Sequence, residues 1–174
     1  MKTKELSQIA LMTSLLVVLG FIPAIPLPFI AVPLTLQNLG VMLVSLFLGS
    51  KNGSLSMLLF FLLGLIFPVF SGKATSIPTL MGPTGGYVLA WLLVPLLFGY
   101  LSSFLKKQSF LGLFGMMWLA GVLFVDLLGA VWLSQVTEMA LSQSLVSNLV
   151  FIPGDTVKAL IATILAYRLS DFRA

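Results

Sequence analysis

Residues 6–50, 52–72 and 74–105 contain no charged side chain. A helix crosses a bilayer with about 20 mostly apolar residues. Each stretch is therefore long enough to cross one, and the 45 residues of the first are long enough for two crossings. Only 8% of the 174 residues are charged, against about 25% in a soluble domain. The expected fold class is an all-α integral membrane protein, and residues 1–174 are expected to form one transmembrane domain.

Proline and glycine divide the apolar sequence into six expected spans, at 6–22, 36–49, 54–67, 85–104, 110–133 and 154–170. "PAIPLPFIAVP" (23–33) splits the first block, since proline cannot continue a helix. "GSKNGS" (49–54) and "LKKQS" (105–109) read as short polar turns. "PVFSGKATSIPTLMGPTGG" (68–86) reads as a long loop, and "SQVTEMALSQSLVSNLVFIPG" (134–154) as another with room for a short helix. Pro95 lies inside the fourth span, where it is expected to kink the helix. The start, Met1-Lys2-Thr3-Lys4 before an apolar run, imitates a signal peptide. Pro23, Pro26 and Pro28 follow without an A-x-A site, so the run reads as a retained first span.

Basic residues then orient the chain. Lys2, Lys4, Lys51, Lys106, Lys107, Arg168 and Arg173 fall at the termini and even-numbered connections, while the odd-numbered loops carry Lys73. By the positive-inside rule both termini face the cytoplasm and the three long loops meet outside. The basic residues form no stripe, so no nucleic-acid partner is expected. The chain has no cysteine and no histidine. That excludes thiolate and His-based catalysis and most metal sites, and no enzyme activity, metal or cofactor is expected.

Against this apolar background a few polar residues stand out. Asp155 and Lys158, in "FIPGDTVKA", sit at the expected outer start of the sixth span. Asp155 reads either as a helix N-cap or as a functional carboxylate. Lys158 fits a structural role poorly, because a cation near a helix N-terminus opposes the helix dipole. It also lies on the outer side, against the positive-inside bias. Snorkelling, or neutralisation of Asp155 at i, i+3, are its structural alternatives. Together the two offer an acceptor and a donor to a small polar ligand carrying both kinds of group. In "MGPTGGYVLAW", Gly82, Gly85 and Gly86 permit close backbone approach. Tyr87 and Trp91 share a helix face, as an interfacial aromatic pair or as ligand contacts. "VPLTLQNLG" brings Thr35, Gln37 and Asn38 into the second span, and the Gln37 amide lies too deep for the simplest cap. Asp126, deep in the fifth span, is either a functional carboxylate or one held by neighbouring helices. Ala10 and Ser14 form a small-x-x-x-small pair on the first span, which lets another helix approach.

"VPLTLQN", "GPTGGY" and "FIPGDTVKA", in this order on these spans, resemble the BioY family. The resemblance covers essentially the whole chain. It implies the six-helix S-component fold of energy-coupling factor (ECF) vitamin transporters, and biotin captured at the extracellular side. It also implies a transmembrane coupling protein and two ATPase subunits as partners, the S component itself hydrolysing nothing. Carried onto this sequence, the family's ligand contacts fall on Gln37, on Gly82, Thr84, Gly85, Gly86 and Tyr87, and on Asp155 and Lys158. For a ligand such as biotin, Tyr87 and Trp91 can pack against the apolar rings. Its contact with the coupling protein falls on Ala10 and Ser14. The third loop departs from the family pattern at Lys73-Ala74, and Val88 stands where some members carry arginine. The alternative is a proton- or ion-coupled secondary transporter of a small carboxylate-containing molecule, with Asp126 and Asp155 as relay.

Overall fold

The computed structural model describes residues 3–105 and 107–169; Lys2, Lys106 and Arg173, used above for orientation, lie outside the described residues. Helix α1 (Thr3–Phe21) leads into a short antiparallel ribbon, β1 (Ile25–Leu27) and β2 (Ile30–Leu34). Then come α2 (Gln37–Ile66), α3 (Ser76–Met81), α4 (Gly85–Ser102) and α5 (Phe110–Trp118). A π-helical turn (Leu119–Leu123) joins α5 to α6 (Phe124–Val136), and α7 (Leu141–Asn148) and α8 (Phe151–Arg168) complete the chain. Among the described residues four helical segments are long and apolar enough to cross a membrane. A fifth arises if α7 and α8, bent by 47°, count as one span.

The expected second and third spans form one helical run, α2, interrupted at Gly49 with φ 67° and ψ −164°. Positive φ is cheap only for glycine. The chain folds back there. A Cβ placed on Gly53 would lie 3.5 Å from the carbonyl oxygen of Val44. In a straight helix residues nine apart are separated by about 13.5 Å. Both halves of α2 also meet α1, at positions about one helical turn apart. Gln37 bonds to the Leu16 carbonyl, while Thr13 Oγ1 lies 2.9 Å from Ser56 Oγ.

Connections therefore gather at two ends. At one, a Cβ on Gly99 of α4 would press on Ser50, and Phe110 stacks edge-on against Tyr167 at 5.8 Å. Gln8, Phe47 and Leu169 line a common groove at that end. At the other end lie the ribbon, the 67–84 segment and α7. The ribbon differs from the expected plain loop. A two-stranded ribbon consists of edges, so Pro26 and Pro33 sit in it without removing an interior ladder bond.

Polarity is inverted relative to a soluble protein. Leu11, Val18, Leu62, Leu96, Leu160 and Leu165 face outward, while Thr13, Gln37, Asn38, Asp126, Asn148 and Asp155 are buried. Helices apolar on their outer faces suit a lipid surround, where each polar group must find its partner inside. Ala10 and Ser14 are exposed on the same α1 surface as Leu11 and Val18.

Candidate functional site

A cavity of about 250 Å³ lies beneath the end where the ribbon and the 67–84 segment converge. Its roof comes from residues 32–35, 70–74 and 78–84. Its walls come from the first turns of α2, from α4, from α6 and from α8.

One wall is a polar cluster. Lys158 Nζ donates to Asp155 Oδ1 at 2.6 Å and to the Thr35 carbonyl at 2.6 Å. Asn38 Nδ2 donates to Asp155 Oδ2 at 2.9 Å and to the Gly121 carbonyl at 3.2 Å. α2 and α8 thus meet on one carboxylate, and its two donors reach on to Thr35 and to Gly121. Asp155 does not cap a helix: α8 begins at Phe151, so Asp155 is its fifth residue and Lys158 its eighth. The ammonium therefore stands two turns in, away from the positive helix end. Its burial is tolerable because Asp155 and a carbonyl satisfy it.

The Gly121 carbonyl belongs to the π-helical turn, where the Phe124 N–H bonds back to Leu119. One extra residue loosens the ladder at this turn, and Asn38 bonds to a carbonyl there. Just before it, Trp118 Nε1 donates to Thr156 Oγ1 at 2.9 Å, tying α5 to α8.

Gln37 lines the cavity with its amide fully engaged. Nε2 donates to the carbonyls of Val69 (2.9 Å) and Leu16 (3.3 Å), and Oε1 accepts from the N–H (3.0 Å) and hydroxyl (3.2 Å) of Ser71. It clamps the roof segment to α1 and α2. Gly82, Thr84, Tyr87 and Trp91 line the cavity. Gly85 and Gly86 are not among the lining residues; they pack on α6, where an added Cβ would collide with Trp132. Trp132 Nε1 donates to the Gly82 carbonyl at 3.0 Å. The Tyr87 ring lies over Gly129, and its hydroxyl donates to Asn148 Oδ1. Asn148 in turn donates to the Ser144 carbonyl, and Ser144 to that of Ala130. The glycine run thus serves close packing of α4 on α6, and Tyr87 anchors α7.

In the sequence Asn38 stands beside Gln37 without an evident role, and Asp126 stands apart from any partner. The structure brings both to the cavity wall, with Phe70, Val125 and Phe151 supplying apolar surface. No local signal predicts that Asn38 and Asp155, 117 residues apart, share a bond.

Fold and site together define a multi-pass helical membrane protein that encloses a small-molecule cavity near one membrane face. The BioY family profile matches residues 1–174, and the chain belongs to that family. It is 44% identical over 172 residues to the biotin transporter BioY of Lactococcus lactis subsp. cremoris, covering 97% of this chain and 91% of that one. To the biotin transporter BioY of Rhizobium etli it is 34% identical, covering 95% and 92%. A crystal structure of the S-component for biotin from an ECF-type ABC transporter superposes with a TM-score of 0.93 at 42% identity, covering 98% of this chain and 95% of that one.

Proposed function

We propose that this chain is the biotin-binding S component of an ECF-type ATP-driven vitamin importer. The observation that carries the reading is the Asp155–Lys158–Asn38 cluster on the wall of a cavity of about 250 Å³, in a chain so similar along its length to a biotin S-component. Biotin offers two ureido N–H donors, a ureido oxygen, a thioether ring and a carboxylate. Asp155 retains lone pairs that accept a ureido N–H, and Lys158 retains one N–H to donate. Tyr87, Trp91 and Phe151 supply apolar surface, with Gly82 and Thr84 in the roof. Gln37 contributes by holding that roof, and Gly85 and Gly86 by setting the approach of α4 to α6.

In this reading residues 1–174 form one domain with six spans. The halves of α2 on either side of Gly49 are separate crossings, and both termini are cytoplasmic. The cavity then opens to the extracellular side. The exposed Ala10–Ser14 face of α1 meets a transmembrane coupling protein, and two ATPase subunits supply the energy. Saturable binding of labelled biotin by the detergent-purified protein, without nucleotide, is the expected result. Equilibrium dialysis in competition with thiamine and riboflavin tests it, and absence of saturable binding or equal preference for the competitors refutes it. One observation favours an ion-coupled transporter instead: Asp126 and Asp155 line the same cavity. Uptake that survives ATP depletion and collapses with an uncoupler would select that reading.

A further inference from the structure

Five buried side-chain atoms lack a hydrogen-bond partner among the described residues: both carboxylate oxygens of Asp126, Trp91 Nε1, Asn38 Oδ1 and Ser54 Oγ. All but the serine belong to residues that line the cavity. Asp126 is 5% exposed and Trp91 7%. Burying polar groups without a hydrogen bond is costly. Such groups gathered around one cavity, from α2, α4 and α6, point to a ligand that completes them.

Their placement gives the pattern to be completed. Helices α4 and α6 run antiparallel, with Gly86 against Trp132 and Tyr87 over Gly129. Trp91 is one turn beyond Tyr87, and Asp126 is about one turn before Gly129. The indole N–H and the carboxylate therefore stand at one level, deeper than the Tyr87 contact. The π-helical turn Leu119–Leu123 ends just ahead of Asp126. One residue inserted in a helix rotates every later residue by about 100°. Without that insertion Asp126 would be turned to a different face of its helix.

We propose that Asp126 is a second ligand-contacting carboxylate, accepting a ureido N–H while Trp91 Nε1 donates to a ligand oxygen. In that role it selects cyclic ureas whose nitrogen carries a hydrogen. The inference rests on the biotin reading of the cavity. A second acceptor matches the second ureido N–H. Asp155, whose oxygens already accept from Lys158 and Asn38, takes the other.

Calorimetry of the detergent-purified protein, with biotin and with each of its two ureido N-methyl derivatives, tests this. The wild type is expected to bind biotin far more tightly than either derivative. Asp126→Ala should weaken biotin by about tenfold or more, the scale of leaving a buried ligand N–H unsatisfied, and Asp126→Asn, which keeps one carbonyl acceptor, by a smaller factor. Asp126→Ala should also bind one N-methyl isomer within about twofold of biotin, the methyl group filling the space of the lost carboxylate. Trp91→Phe keeps an aromatic ring and loses the N–H; it should weaken biotin about tenfold at unchanged thermal stability. Unchanged affinity in the Asp126 variants overturns the proposal. So does a loss shared equally by biotin and both derivatives, which marks a structural carboxylate. Should Asp126→Ala fail to fold, unchanged biotin affinity in Trp91→Phe and Asp126→Asn overturns it alone. A wild type that does not bind biotin overturns the function itself; a wild type that binds it beside variants that bind equally well overturns only the role of Asp126.

Discussion

Lys158→Met keeps the length of the side chain and removes two bonds, to Asp155 Oδ1 and to the Thr35 carbonyl, both 2.6 Å. The pair is enclosed, with side-chain exposures of 13% for Lys158 and 8% for Asp155. Removing one partner of a buried pair costs about 3–5 kcal/mol, most of it from the stranded charge. Asn38 still donates to Asp155 Oδ2, so we take the lower end, roughly 3 kcal/mol. For a domain of this size that is a fall of roughly 6–12 °C in melting temperature. Adding Asp155→Asn removes the stranded charge, and the double variant should regain most of the loss. Biotin affinity should stay low in both, because neither restores the ligand's partners. Thermal unfolding in detergent and biotin calorimetry on the wild type, both single variants and the double variant complete the cycle. A double variant as unstable as the sum of the singles would show that no buried charge was stranded and refute the reasoning.

Gln37→Ala should leave the helices folded and release the roof, leaving the Ser71 N–H and two carbonyls unpaired at about 1–3 kcal/mol for each group that stays buried; faster biotin dissociation in a filter-binding chase checks it. Gly86→Ala places a methyl into Trp132 and should destabilise by about 1–3 kcal/mol through overpacking, read as a lower melting temperature. Ala10→Trp and Ser14→Trp should abolish biotin uptake by cells while binding in detergent stays intact, since close helix approach needs small residues.

Much of the helical architecture was legible in the sequence because charge-free length and proline position are local signals. The stop after Phe21 and the polar turn at Gly49 come directly from them. So does the short helix in the fifth connection, realised as Leu141–Asn148. The ribbon at 25–34 was not legible, because its proline density reads as plain loop and its pairing rests on two short strands. The π-helical turn has no composition of its own; "LAGVL" is ordinary helix sequence. It packs against α2, α4 and α8, contacts that no local sequence pattern encodes. The start of α8 precedes the expected position 154 for a related reason. Pro153 and Gly154 look like a helix entrance, yet proline is tolerated in a first turn, and the helix begins before them at Phe151.

The site divides along the same line. Asp155 and Lys158 stand out in the sequence because charge is scarce and the two lie three residues apart. Their bonds to Asn38 and Thr35 span 117 and 123 positions and carry no sequence signal. The division has a consequence for binding. Groups satisfied within the protein, such as Gln37 and the Tyr87 hydroxyl, stiffen the cavity and offer the ligand few free bonds. Groups left unpaired at its wall, Asp126 and the Trp91 N–H, gain most when a ligand arrives. Removing a partner of the first kind should show mainly in thermal stability and dissociation rate. Removing one of the second kind should show in affinity and selectivity. That separation should be wide enough for calorimetry and melting curves on the same set of variants to sort the residues into the two groups.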